Sequence, residues 1–334
     1  MRECTASQAQ CTGKPHRGAP DATPSHRSGG GLSRDAIKYL AILAMTLDHI
    51  AYILLEPLLP GTTGYMVPLL YHLFLSLGSF TGPVMIYFLM EGYYYTHDPR
   101  AYAKRLLLFA LVSQIPFTLA FGQLNGALAG NMLFTLLLCF GVLYVQEHED
   151  NAGKRRRAYL LLFCLSLFTD WNTLAVPFVF FLRPAFHVTR VGAGVASQTG
   201  DEATMKEEAS RRTAASSATA GRMNERHVQL GIDENTLRQC LHPSGRQVQL
   251  GIDPVERRRG MGKCLLLFVV LNVLSRGPFD GVSEALGLCL GFACIDRLYN
   301  GRQATTHRRF HQYFFYVYYP AHLLLLWGLH AWLM

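Results

Sequence analysis

Charge is scarce in this sequence. Asp, Glu, Lys and Arg make up 16% of its residues, where a soluble domain carries about 25%. What charge there is gathers largely in residues 1–35 and 187–260. Between these regions, Leu106–Phe121 and Leu133–Val145 contain no charged residue at all. An amphipathic helix of a soluble protein returns polar residues every third or fourth position, and these stretches do not. That excludes a soluble helical core. Metal grammar is also missing: the 8 cysteines include no CxxC pair. Cys139, Cys164, Cys264, Cys289 and Cys294 lie in or beside apolar stretches, where thiols act as small hydrophobes. No metal is expected. Residues 1–35 lack an apolar run and so read as a disordered, basic cytoplasmic tail with no signal peptide. The formal net charge of +8 does not imply nucleic acid, because Arg155–Arg157 and Arg257–Arg259 stand beside apolar segments, as cytoplasmic anchors do.

What remains is a series of apolar runs, half the chain being hydrophobic (50%). A spanning helix needs about 20 mostly apolar residues. Candidates cover about Ala36–Leu59, Pro68–Tyr94, Tyr102–Phe121, Asn131–Val145, Gly262–Leu274, Val282–Leu298 and Tyr313–Leu333. Gly78, Gly82 and Pro83 predict a break in the second. Ala158–Leu182 is either one span or two short helices turning at Thr169–Asn172. Basic loops arbitrate, because positive residues mark the cytoplasmic side. Only with a turn at Asp170 do His97–Arg105, His148–Arg157, the Arg-rich insertion and Asn300–Arg309 all share one side. The expected fold is therefore an all-α, polytopic membrane bundle of about nine transmembrane or half-membrane helices. The N-terminus is expected inside and the C-terminus outside, in the inner membrane. Its membrane domain has two parts, 36–186 and 261–334, separated by a polar, disordered cytoplasmic insertion over 187–260. That insertion repeats a short motif, Arg226–Asp233 and Arg246–Asp253, too few copies for a solenoid.

Ionisable groups inside a span face a cavity or a partner. The first helix carries Asp48 and His49 deep in its apolar run, with Lys38 eleven residues before the histidine. Eleven steps of about 100° return Lys38 to within about 20° of His49, about 16 Å away along the axis. Arg34 extends the same stripe. Further polar positions are Glu91, Arg105, Asn131, Asp170, Tyr319 and His322. Each alone is a packing group, and together they exceed the needs of inert packing.

Several of these lie in an ordered series: Leu47–Ile50, Met90–Tyr93 with Thr96, Tyr102–Leu106 leading to Ser113–Pro116, Asn131–Leu136, and Phe315–Leu323. The series resembles the TraX family of conjugal-transfer membrane proteins, over roughly 33–183 and 262–330. It departs from the family pattern after Gly78, where Ser79 replaces an arginine. The resemblance implies a membrane acetyltransferase that uses acetyl-CoA and acts on a pilin N-terminus or another envelope amine or hydroxyl. It extends to membrane acyltransferases with a basic residue and a histidine spaced like Lys38 and His49. On that reading Arg34, Lys38 and Arg105 hold donor phosphates and His49 is the general base. Asp48 and Glu91 are alternative carboxylate partners for the imidazolium. Expected partners are membrane lipid and a pilin-like or envelope acceptor, with no nucleic acid. A transporter using the same polar interior and a non-catalytic pilus assembly factor are the competing readings.

Overall fold

The structure, a computed structural model, describes residues 31–125, 129–191, 247–302 and 308–333. Helix α1 (Arg34–Ile50) begins where the Ser33 hydroxyl accepts the Ala36 amide at 3.2 Å, a side-chain cap for one of the amides left unpaired at a helix start. Past Ile50 the chain continues as a π turn over Ala51–Leu55 and a 3-10 turn over Glu56–Gly61. Helices α2 (Met66–Gly78) and α3 (Thr81–Tyr95) are separated at Ser79-Phe80, the break expected from Gly78, Gly82 and Pro83. Pro83 falls in the first turn of α3, where its missing amide costs no hydrogen bond.

Helices α4 (Pro99–Asn125), α5 (Met132–His148), α6 (Ala152–Ser166) and α7 (Asn172–Leu182) follow. Exposed Asp98 receives the Ala101 amide at 3.0 Å, and that bond holds its carboxyl below the ordinary range. Ala158–Leu182 is thus two helices. The chain reverses over Leu167–Trp171, where Trp171 takes φ 57°, the one positive value among described non-glycine residues. Its indole lies flush on α3: a Cβ at Gly82 would stand 2.1 Å from the ring. Only glycine fits there.

After a 3-10 turn, β1 (Phe186–Val191) pairs antiparallel with β2 (Gln247–Ile252), Phe186 opposite Ile252. Then come α8 (Pro254–Arg276), α9 (Pro278–Ala293), a π turn over Cys294–Leu298, and α10 (Arg308–Leu333). The expected disorder over 187–260 therefore gives way to structure at both ends, while residues 192–246 lie outside the described residues, as do residues 1–30. Helix α8 starts eight residues ahead of Gly262 because Asp253 accepts the Val255 amide at 2.7 Å and Pro254 supplies a preset first turn. Arg257 and Arg258 consequently sit on a helix and pair with Asp296, at 2.7 and 2.9 Å. The second copy of the repeated motif forms β2 and this cap; the first copy lies outside the described residues.

With α2 and α3 taken as one broken segment, the described helices reproduce the nine segments read from the sequence. Arg34–Gly61, Met66–Tyr95, Pro99–Gly122 and Pro278–Leu298 are long and apolar enough to cross a membrane, by length and composition. Helix α3 is the axis of the bundle: Val84 and Ile86–Met90 are all buried. A helix apolar on every side must sit inside. Around it, α4 exposes Leu107, Leu108, Leu111 and Ile115, and α9 exposes Val282, Leu286 and Leu290. Apolar faces of that extent are stable only against lipid or a partner.

Candidate functional site

Two cavities lie at opposite ends of the polar interior. The first, about 290 Å³, is lined by Arg34, Lys38, Tyr102, Arg105, Phe315 and Tyr319 among others. The second, about 650 Å³, is lined by Asp48, His49, Asp170, Trp171, Arg276 and Glu284 among others. Since α1 is unbroken from Arg34 to Ile50, the interval that aligns Lys38 with His49 is realised on a real helix, Lys38 in one cavity and His49 in the other.

At the first cavity, Arg34 is already engaged. Its Nη2 donates to the Phe88 carbonyl at 2.9 Å, and its Nε stands 3.4 Å from Glu91 Oε2. The Tyr299 hydroxyl donates to the other oxygen of Glu91 at 2.7 Å. Glu91 thus ties α1, α3 and the segment after α9 together, far from His49 in the network. Lys38 and Arg105 are less committed. The Lys38 ammonium rests 5.2 Å over the Phe315 ring, and Arg105 lies 5.6 Å over Tyr102 with a buried, unpartnered Nε. Gly92 allows this crowding, since a Cβ there would come within 3.0 Å of Arg34.

At the second cavity, three carboxylates converge from different helices. Asp48 comes from α1, Asp170 from the α6–α7 turn and Glu284 from α9. Arg276 bridges two of the walls, donating to Glu284 Oε1 at 2.8 Å and to the Tyr52 hydroxyl at 2.9 Å. Asp48 occupies space that only a glycine leaves open: a Cβ on Gly78 would lie 2.3 Å from its oxygen. Ser79 lines this cavity as well, so the departure from the family pattern falls here and not on the cavity that holds Lys38. Asp170 also closes its turn, accepting the Trp171 amide at 3.0 Å and taking the Thr135 hydroxyl on its carbonyl.

Neither proposed carboxylate partner contacts His49. Its Nδ1 lies 2.7 Å from Nε2 of His322, and His322 Nδ1 lies 2.9 Å from the Tyr318 carbonyl. Asp48, the next residue, points about 100° away around the helix, and Glu91 is held by Arg34. Phe121 packs edge-on to His49 at 5.1 Å, and Tyr319, which lines the first cavity, stands 6.4 Å from it. The π turn begins immediately after His49–Ile50, and π turns recur at functional sites.

Asn131 belongs to the scaffold. Its Oδ1 caps α5 at Leu133, and its Nδ2 donates to the Ala110 carbonyl and to Gln114. Tyr319 accepts the Met132 amide at 3.4 Å. Sequence reasoning passed over Arg276 and Glu284, reading their surroundings as a hairpin. The signal was present, since Glu284 is an acid within the apolar run Val282–Leu298. Among the described residues no cluster of His, Cys, Asp and Glu is arranged to hold a metal.

These features define an all-α membrane protein whose buried polar interior joins a basic cavity to an acidic one. Residues 33–196 match the family model described as TraX protein. It is also similar to "Probable fimbrial assembly protein FimC, serogroup H1" of Dichelobacter nodosus, 30% identical over 155 residues. That alignment covers 44% of this chain and 59% of the relative's length. No solved structure matches. Helices α8–α10, which carry Arg276, Glu284 and His322, follow the matched stretch.

Proposed function

We propose that the chain is a membrane-embedded acetyltransferase that draws on cytoplasmic acetyl-CoA. The observation that carries this reading is His49, which lines a cavity with room for an acceptor and shares a helix face with Lys38 of the cationic cavity. Lys38 and Arg105 suit the phosphates of the donor, with Arg34 as a fixed positive wall. Acetyl-CoA supplies a thioester carbonyl for attack. His49 takes the proton from the acceptor amine or hydroxyl as that atom bonds to the carbonyl carbon. The carbon–sulfur bond breaks, and the departing thiolate leaves with a proton. A neutral imidazole carries the lone pair this base role needs.

The charge pattern supports an orientation in the inner membrane with the Lys38 cavity toward the cytoplasm. Residues 50–66, 117–132, 166–173 and 275–281 contain one Lys or Arg, Arg276, whereas Arg100, Lys104, Arg155–Arg157 and Arg257–Arg259 lie near the opposite ends of their helices. The acceptor is a pilin-like or other envelope amine or hydroxyl presented at the acidic cavity. His49→Ala, purified in detergent with acetyl-CoA and an envelope fraction, should lose ~10²-fold or more in acetyl transfer while keeping its melting temperature. Equal activity in the variant and the wild type removes His49 from the reaction. A second reading, a non-catalytic pilus assembly factor, is favoured by the name of the Dichelobacter relative; it requires that the wild type transfer no acetyl group.

A further inference from the structure

We propose that His322 is the positioning residue for His49, holding its proton on Nδ1 so that Nε2 is the base. The inference rests on the acetyltransferase reading and adds the group that sets the tautomer. It follows from donors and acceptors alone. The Tyr318 carbonyl can only accept, so the His322 Nδ1 that lies 2.9 Å from it carries the hydrogen. In the neutral ring His322 Nε2 then holds a lone pair. The partner that faces that lone pair is His49 Nδ1, at 2.7 Å, which is therefore the donor. That leaves the lone pair of neutral His49 on Nε2. Among the described residues no hydrogen-bond partner reaches Nε2, and the ring lines the 650 Å³ cavity.

The geometry is built to hold this arrangement. The two imidazoles lie 6° from parallel with centroids 4.9 Å apart, so the hydrogen bond runs nearly in both ring planes. His322 is further stacked on Tyr318 at 5.0 Å and 11°. Both rings are nearly sealed, with exposures of 5% for His49 and 6% for His322. The pair also crosses from α1 to α10, so closure of the bundle completes the base. When Nε2 takes the acceptor proton, the Nδ1–H bond to His322 strengthens against a neutral acceptor. In serine hydrolases a buried aspartate fixes the tautomer from the equivalent side, and swapping it for a group that sets the wrong tautomer costs about 10⁴-fold in kcat.

The test compares His322→Phe with His322→Gln in purified protein, measuring acetyl transfer and thermal melting. Phe removes the acceptor and Gln restores one through its amide oxygen. His322→Phe should lose ~10²-fold or more in kcat with KM for acetyl-CoA within about threefold of the wild type. His322→Gln should stay within about tenfold of the wild type. Equal losses in Phe and Gln, or losses that track melting, overturn the proposal. ¹⁵N spectra of histidine-labelled wild type give a readout that needs no variant at 322. The signals that vanish in His49→Ala should show a protonated Nδ1 and an unprotonated Nε2, and the reverse assignment overturns the proposal. Failure of the acetyltransferase reading itself is distinct, since it appears as a wild type that transfers nothing.

Discussion

A lysine ammonium over an aromatic ring at the mouth of a cavity is held loosely, while an arginine bonded to a carboxylate and a carbonyl is not free to recruit a ligand. That contrast divides the cationic stripe of α1. Arg34 is spent on Glu91 and Phe88, whereas Lys38 rests over the Phe315 ring. Lys38→Ala should therefore raise KM for acetyl-CoA about tenfold, the scale of one charged hydrogen bond, with kcat little changed. Because that contribution is an attraction between charges near the protein surface, the gap between variant and wild type should narrow as ionic strength rises. Steady-state kinetics at low and high salt check both points. Arg34→Ala is a different experiment, since it strips Glu91 of its cation and endangers the fold. The stripe itself was legible from spacing. Its division was not, because Glu91 and Phe88 reach Arg34 from α3, more than fifty residues away.

At the scale of elements, the approach of α9 to α2 and α3 rests on missing side chains. A Cβ at Gly287 would lie 1.7 Å from the Ser76 carbonyl oxygen, and one at Gly291 would lie 3.1 Å from that of Phe80. These two glycines form the small-xxx-small spacing through which membrane helices bring their backbones close. The obstacle at Gly287 is backbone, so no rotamer relieves it. Gly287→Val should cost about 1–3 kcal/mol by overpacking, read as a lower melting temperature in detergent. An unchanged melting temperature would place α9 elsewhere. The same packing sets Glu284 and Arg276 against the second cavity, so the variant should also lower acetyl transfer. Breaks within elements were readable where proline and glycine force them, as at Ser79-Phe80. The early start of α8 was not read, because attention to apolar length hid the cap that Asp253 and Pro254 provide.

For the whole molecule, the β1–β2 ribbon is anchored on the first part of the membrane domain, where Phe186 packs on Tyr94 at 5.6 Å and on Tyr87 at 5.5 Å. The ribbon, with α8 beginning two residues after it, belongs to the folded unit. Replacing residues 192–246 by a short Gly/Ser turn while keeping both strands should leave the expression and melting temperature of the detergent-solubilised protein unchanged. Extending the deletion through Gln247–Ile252 should lower both, since it removes the pairing together with buried Leu250 and exposes Phe186. A loss already in the shorter deletion would make 192–246 part of the fold.

The sequence by itself determined the class of this protein. Uncharged apolar runs demand a membrane, and a backbone that must satisfy its own hydrogen bonds there demands helices. It also determined, through the 3.6-residue turn, that Lys38 and His49 share a face of α1. Only the tertiary structure decided the partners. His49 lies 273 positions from His322, and no local rule links residues so distant; the pairing exists because α1 and α10 pack side by side. Glu91 was drawn to Arg34 and Tyr299 in the same way, and Asp48 was directed into a cavity with Asp170 and Glu284. Composition and period describe one helix at a time, whereas the chemistry of this interior is made between helices.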